Sequence, residues 1–148
     1  MRKLLNIASS LIILAMVCVA LWFYFTTDKV AVSMHWNAVG DIDSYGKTWT
    51  ILVLAGVGVV VYLFLLLNQK LVASNLPLTT SSPERARPYV RMLTAWMTFL
   101  ISLAFLYVVG AVAQLYVFHA WVVCVDVAAL LVVSVYFTHR VRRAELGK

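Results

Sequence analysis

The sequence predicts an all-α membrane protein with four transmembrane helices, both termini on the cytoplasmic side and a structured outward loop after the first span. Three observations lead there. Of the 148 residues, 64% are hydrophobic and 12% charged, whereas a soluble domain is nearer half apolar and a quarter charged. Four apolar runs approach the ~20 residues that cross a ~30 Å hydrocarbon core. The basic residues are divided very unevenly among the segments between those runs. One membrane domain is expected over residues 1–148.

The first run is Leu4 to Phe25. Met1-Arg2-Lys3 before it has the charge of a signal-peptide n-region. However, the run exceeds an h-region of about 7–15 residues and no small-x-small site follows directly, so a retained span is expected. A polar loop, 26–48, leads to the second run, Trp49 to Leu67. The loop 68–91 contains "SSPERARPYVR". There Ser82 suits an N-cap, Pro83 the first helical position and Glu84 the positive helix end. A short helix is expected to lead into the third run, Met92 to Ala113, disturbed or kinked at Pro88. The fourth run, Val122 to Phe137, is the shortest and carries Asp126. Trp22, Trp49, Trp96 and Trp121 fall near expected span ends, as in an aromatic belt.

Charge sets the expected orientation. Arg2, Lys3, Lys70, Arg85, Arg87, Arg91, Arg140, Arg142, Arg143 and Lys148 fall on one side, and Lys29 and Lys47 on the other. By the positive-inside rule the termini are expected to face the cytoplasm, and the loop 26–48 the periplasm or extracellular space. Arg85, Arg87 and Arg91 are candidates for anionic lipid headgroups, beside a solvated, topology-setting role. The net charge of +6 is not read as nucleic-acid binding, because no basic, aromatic-bearing module lies outside the spans. Cys18 and Cys124 sit in apolar runs without metal-ligand spacing and read as small packing residues. Thr94, Thr98, Ser102, Gly110 and Gln114 form a small and polar stripe on the third span. With Gly56, Gly58, Ala128 and Ala129 they suggest close helix packing rather than a substrate path.

The stretch "SMHWNAVGDIDSYGKTW", Ser33 to Trp49, concentrates polar residues between two apolar spans. In an extended segment residues two apart share a face. His35 and Asn37 then point one way, and Asp41 and Asp43 also pair. Gly40 can turn the chain back, and Gly46 can do the same before the second span. A compact, hairpin-like loop is expected. His35 and Asn37 would bond loop backbone while the aspartates close Asx-turns. His35, Asp41 and Asp43 as a metal site is the weaker reading, because three ligands on one short loop have no distant partner. No catalytic constellation, metal site or cofactor is expected.

The pattern His35-Trp36-Asn37-x-x-Gly40-x-x-Asp43-x-Tyr45-Gly46 between two spans resembles the conserved N-terminal domain of the SdpI-type membrane proteins. That domain typically carries "PxHFNxxGxxDxxGxK" after a first span. The likeness covers Asp28 to Val61, and the arginine-bearing segment before the third span is broadly similar. Ser33 stands where the family usually has proline, Lys47 comes one position early, and the family's further C-terminal helices have no counterpart. The resemblance implies a folded outward loop. It also implies the family's roles, immunity to a peptide toxin and signalling that sequesters a repressor at the membrane.

Asp126 is a carboxylate about one turn inside the expected outer end of its span, and intramembrane acids are functional candidates by default. A structural partner such as Lys47, His35 or a third-span hydroxyl is expected, in preference to a proton or ion relay. The functional expectation is a non-enzymatic protein that binds a peptide or toxin at its outer face, through His35, Trp36, Asn37, Gly40, Asp41, Asp43, Tyr45, Gly46 and Lys47. An accessory subunit of a larger membrane complex is the alternative, and a small transporter-like or ion-relay protein comes third. The expected partners are the bilayer and a membrane protein or peptide, with a homo-oligomer possible.

Overall fold

The computed structural model describes residues 1–37, 39–75 and 83–145. Its elements in chain order are α1 (Arg2–Thr26), β1 (Ala31–Trp36), β2 (Ile42–Lys47), α2 (Thr50–Asn75), α3 (Pro83–Val112) and α4 (Ala120–Glu145). Each helix holds a stretch long and apolar enough to cross a membrane: Arg2–Thr26, Thr50–Gln69, Arg85–Val112 and Ala120–Ala144. The described residues thus hold four helices of membrane-crossing length and composition, those of a multi-pass membrane protein. The purely α-helical expectation needs one correction, because β1 and β2 form an antiparallel hairpin between α1 and α2.

Three helices are longer than their apolar runs suggested, and α2 continues past Leu67 to Asn75, through the first part of the expected loop 68–91. α3 begins at Pro83, the expected first helical residue, and continues through Pro88 as one helix. Ser82, the expected cap, lies outside the described residues. α4 extends past Phe137 into Thr138–Glu145, so the fourth span is not short. Hydropathy marks where a helix meets polar surroundings, not where its backbone bonds stop. Arginine and histidine continue a helix while their heads reach outward.

α3 is the centre of the bundle. It packs against α1, α2 and α4, and α4 rests almost wholly on α3. Of the apolar window in α3, 44% is buried inside the protein, against 6% for α4. The seam of α1 is Leu5, Ser9, Ile13, Met16, Ala20 and Phe23, a three-and-four spacing that keeps one face inward. Met16 and Phe23 join Ile51 and Ala55 of α2 and Val109 and Val112 of α3 in one core. Val32 of β1 completes it, so the hairpin is docked on the helix ends.

The small and polar stripe of α3 faces inward from Thr98 to Gly110, whereas Gln114 lies past the end of the helix and is exposed. Thr98 and Ser102 are fully buried. Their hydroxyls donate to Thr94 O and Thr98 O, both at 2.7 Å, so each is satisfied on its own helix. Thr98 Oγ1 also accepts a bond from Gln69 Nε2 of α2 at 3.2 Å. Gln69 in turn exchanges amide bonds with Asn6 of α1, at 3.1 and 3.3 Å. One polar chain thus ties three helices together. Of the two α2 glycines, only Gly58 is a contact, because a Cβ there would lie 3.0 Å from Met16 and 3.1 Å from Phe105. Gly56 has nothing within 4 Å. Trp96 departs from the belt expectation, since it lies well inside α3, edge-on to Phe99.

Replacing Gln69 with leucine removes these bonds and leaves the half-buried Asn6 amide without its partner, while Thr98 keeps its bond to Thr94 O. An orphaned buried polar group costs about 1–3 kcal/mol, so Gln69→Leu is expected to lower the melting temperature in detergent clearly. Ser10→Ala, which loses the exposed bond to Tyr62, serves as the comparison and should be nearly neutral. Equal melting of both variants would remove the polar chain from any structural role.

Candidate functional site

The hairpin is built by its turn. Asn37 follows β1, and its side-chain Oδ1 accepts bonds from the backbone N–H groups of Val39, Gly40 and Asp41, at 3.0, 2.9 and 2.9 Å. Asn37 N donates to Asp41 O at 2.9 Å and Gly40 N to Asn37 O at 3.0 Å. One asparagine therefore organises the reversal, and the expected aspartate Asx-turns are not formed. Gly40 has φ +100°, and a Cβ there would lie 3.1 Å from Phe118 O. Both the dihedral and the space call for glycine. Gly46 does not turn the chain: it pairs with Val32 inside the sheet, and its missing side chain makes room for Met34.

Two register shifts change which residues meet. Ser33 pairs with Tyr45, His35 with Ser44 and Trp36 with Ile42, so Met34 and Asp43 are each an extra residue in their strand. Bulges re-aim side chains. His35 Nδ1 consequently reaches Asp43 Oδ1 at 2.5 Å. Simple alternation had grouped His35 with Asn37 and Asp41 with Asp43. The three-ligand cluster of His35, Asp41 and Asp43 is not assembled, and no described residues gather three such side chains. Asp41 and Lys47 are exposed at the hairpin surface, as is Tyr45.

Residues outside the motif fix the hairpin in place. Trp36 stacks on Phe118 in the α3–α4 connection, ring centroids 4.6 Å apart and 19° from parallel. Tyr107 lies against Phe118 and stacks on Tyr116. Its hydroxyl accepts a bond from His119 N at 2.7 Å. Tyr116 donates to Tyr107 O at 2.6 Å, over Gly110, which has no side chain to block it. Burial pushes the Tyr116 phenol above its ordinary range, with Tyr107 adding to the effect. Lys29 Nζ donates to Gln114 Oε1. Gln114 is the left-handed residue that ends α3, at φ 59°. Around it Leu115 N bonds Gly110 O and Gln114 N bonds Ala111 O, a Schellman ending with glutamine where glycine is usual. Nothing in the sequence paired Trp36 with Phe118. Nothing there marked Gln114 as a partner of Lys29.

Asp126 is not where an anchoring role needs it. His35 is engaged by Asp43, and Asp126 makes no hydrogen bond or ion pair with any described residue. It lines an apolar cleft of about 220 Å³ between α3 and α4, with Leu100, Leu103, Tyr107 and Ala129.

The architecture defines a class, a four-helix membrane protein with a hairpin clamped between its first two helices and the α3–α4 connection. No family model, no curated protein and no solved structure matches the chain.

The turn yields an order of sensitivity. Gly40→Val should be worst, because a β-branched residue is a genuine outlier at positive φ. Asn37→Ala loses three acceptor bonds, worth roughly 0.5–1.5 kcal/mol each. His35→Ala breaks only an exposed pair, worth about 0–1 kcal/mol. Hydrogen exchange across 31–47 should speed up in that order, and a larger effect of His35→Ala than of Asn37→Ala would contradict it. For Asp126, an unpartnered acid among apolar side chains predicts that Asp126→Leu melts no lower than wild type. A marked fall in stability with leucine, rescued by asparagine, would instead restore a hydrogen-bonded anchor.

Proposed function

We propose that the protein is a non-enzymatic recognition protein whose hairpin presents a binding face for a peptide or toxin outside the cell. The observation that carries this reading is the combination of a fixed hairpin and an open strand edge. β1 is docked through Val32, while β2 is exposed along nearly its whole length. Among the described residues the sheet has two strands and the far edge of β2 is unpaired, and an extended peptide can add there through main-chain bonds, with side chains supplying specificity. Val39, Ile42 and Tyr45 stand exposed around the His35–Asp43 pair, a mixed apolar and polar surface suited to a peptide. The resemblance to SdpI-type proteins supports the same reading, since immunity to a peptide toxin is among that family's roles.

The outward direction follows from charge. The hairpin end carries Lys29 and Lys47, and the opposite end carries the arginines of α1, α3 and α4. The positive-inside rule then puts the termini in the cytoplasm and the hairpin outside, in a bacterial inner membrane. An accessory-subunit reading has its own support in α4, whose Leu131, Val132 and Val135 are exposed and would suit a neighbouring membrane protein.

Two measurements test this. With Cys18 and Cys124 replaced by alanine, cysteine at Ser44 should react with an impermeant thiol reagent in whole cells, and cysteine at Ala144 only after lysis. Reversed labelling defeats the outside-recognition model. A photo-crosslinking residue at Tyr45 should then capture a peptide, while one at Leu131 captures lipid. A stoichiometric membrane protein at Leu131 and nothing at Tyr45 would favour the subunit reading.

A further inference from the structure

At the end of the bundle that carries Met1, three hollows adjoin, each sharing lining residues with the next. The first, about 340 Å³, is lined by Arg2, Asn6, Leu66, Gln69 and Arg91. The second, about 450 Å³, shares Arg2 and Arg91 and adds Arg87, Pro88 and Met92. The third, about 620 Å³, shares Pro88 and Met92 with the second and continues between α3 and α4 past Trp96, Val133 and Phe137 to Arg140. Along this furrow the lining changes from amide to guanidinium to hydrocarbon.

Three of its guanidinium groups are partly withdrawn from water, while Arg140 at the far end is exposed. Arg2, Arg87 and Arg91 are half-buried, while Lys3 and Arg85 nearby are exposed. Neither Arg2 nor Arg91 makes an ion pair with a described residue. Arg85, a candidate by sequence, lines none of the three hollows, and Arg2 from another helix stands in its place.

We propose that this furrow binds one phospholipid with an anionic headgroup. Guanidinium groups match phosphate oxygens in geometry and charge, which assigns the phosphate to Arg2 and Arg91, with Arg87 alongside. The rest of the headgroup extends toward Asn6 and Gln69. An acyl chain lies along Trp96, Val133 and Phe137. A free phosphate would leave the largest hollow unexplained, and a neutral lipid would leave the arginines so. The site is at the opposite end from the hairpin and does not depend on what the hairpin recognises.

The full-length protein, purified in mild detergent, is presented with equal amounts of phosphatidylglycerol and phosphatidylcholine, and retained lipid is counted by native mass spectrometry. One phosphatidylglycerol per chain is expected. Arg2→Gln and Arg91→Gln should each weaken retention about fivefold, since a basic residue near the surface contributes about 1 kcal/mol. Arg142→Gln with Arg143→Gln, on the same end but outside the furrow, should leave it unchanged. Val133→Trp keeps every charge but fills the hydrocarbon hollow, and decides the matter if the arginine variants do not fold. With brominated chains, phosphatidylglycerol should quench wild-type fluorescence more than that of Trp96→Phe. Equal retention of the two lipids, equal loss in the Arg142 and Arg143 control, full retention by Val133→Trp, or displacement by millimolar inorganic phosphate would each overturn the proposal.

Discussion

The bundle depends on the polar chain that runs from Asn6 through Gln69 to Thr98. In lipid, apolar side chains gain little by leaving acyl chains for one another, so helices associate through packing and hydrogen bonds. The amide pair of Asn6 and Gln69 and the hydroxyl of Thr98 bring α1, α2 and α3 to one point, and the self-satisfied hydroxyls of Thr98 and Ser102 let the backbones close around them. Interhelical bonds of this kind average about 0.6 kcal/mol and reach about 1.7 kcal/mol. Such values are modest individually. They select register, because only one rotation of each helix satisfies all three residues at once. The packing of Met16 against Gly58 then follows from that register.

At the other end, aromatic stacking takes over the same task. Trp36 and Phe118 join two segments that are far apart in sequence, and Lys29 and Gln114 join them again. A left-handed glutamine costs roughly 1–2 kcal/mol relative to a right-handed residue. The contact to Lys29 offsets part of that, which accounts for a position where glycine would be easier. The hairpin, the start of α2 and the α3–α4 connection therefore behave as one surface.

How much of this was readable in the sequence depends on the kind of signal. Four apolar runs of membrane length gave the helices directly, because hydropathy and length are what a span requires. Hydropathy understates the ends of α2 and α4, since backbone bonding continues to Asn75 and through Arg140–Arg143, and the disturbance expected at Pro88 does not break α3. In the loop, Gly40 and the polar residues announced a hairpin. The bulges at Met34 and Asp43 did not show, and a one-residue slip exchanges faces. That is why His35 was grouped with Asn37 when it meets Asp43. Asp126 was assigned a partner across the outer surface, and its angular position on α4 turns it toward α3 instead. The stacking partners of Trp36 and the furrow around Arg2 are long-range pairings, which no local pattern encodes.

The clasp between Trp36 and Phe118 also has a consequence in time. The two rings are synthesised at widely separated moments, with the whole of α2 and α3 between them. At about 5–20 residues per second, the hairpin waits on the order of several seconds with its indole bare. During that interval the hairpin is held by Asn37 and its backbone bonds, the β1–β2 pairing and the His35–Asp43 pair. The self-contained turn is thus a holding device for biogenesis, keeping an early segment in shape until the late one arrives to close over it.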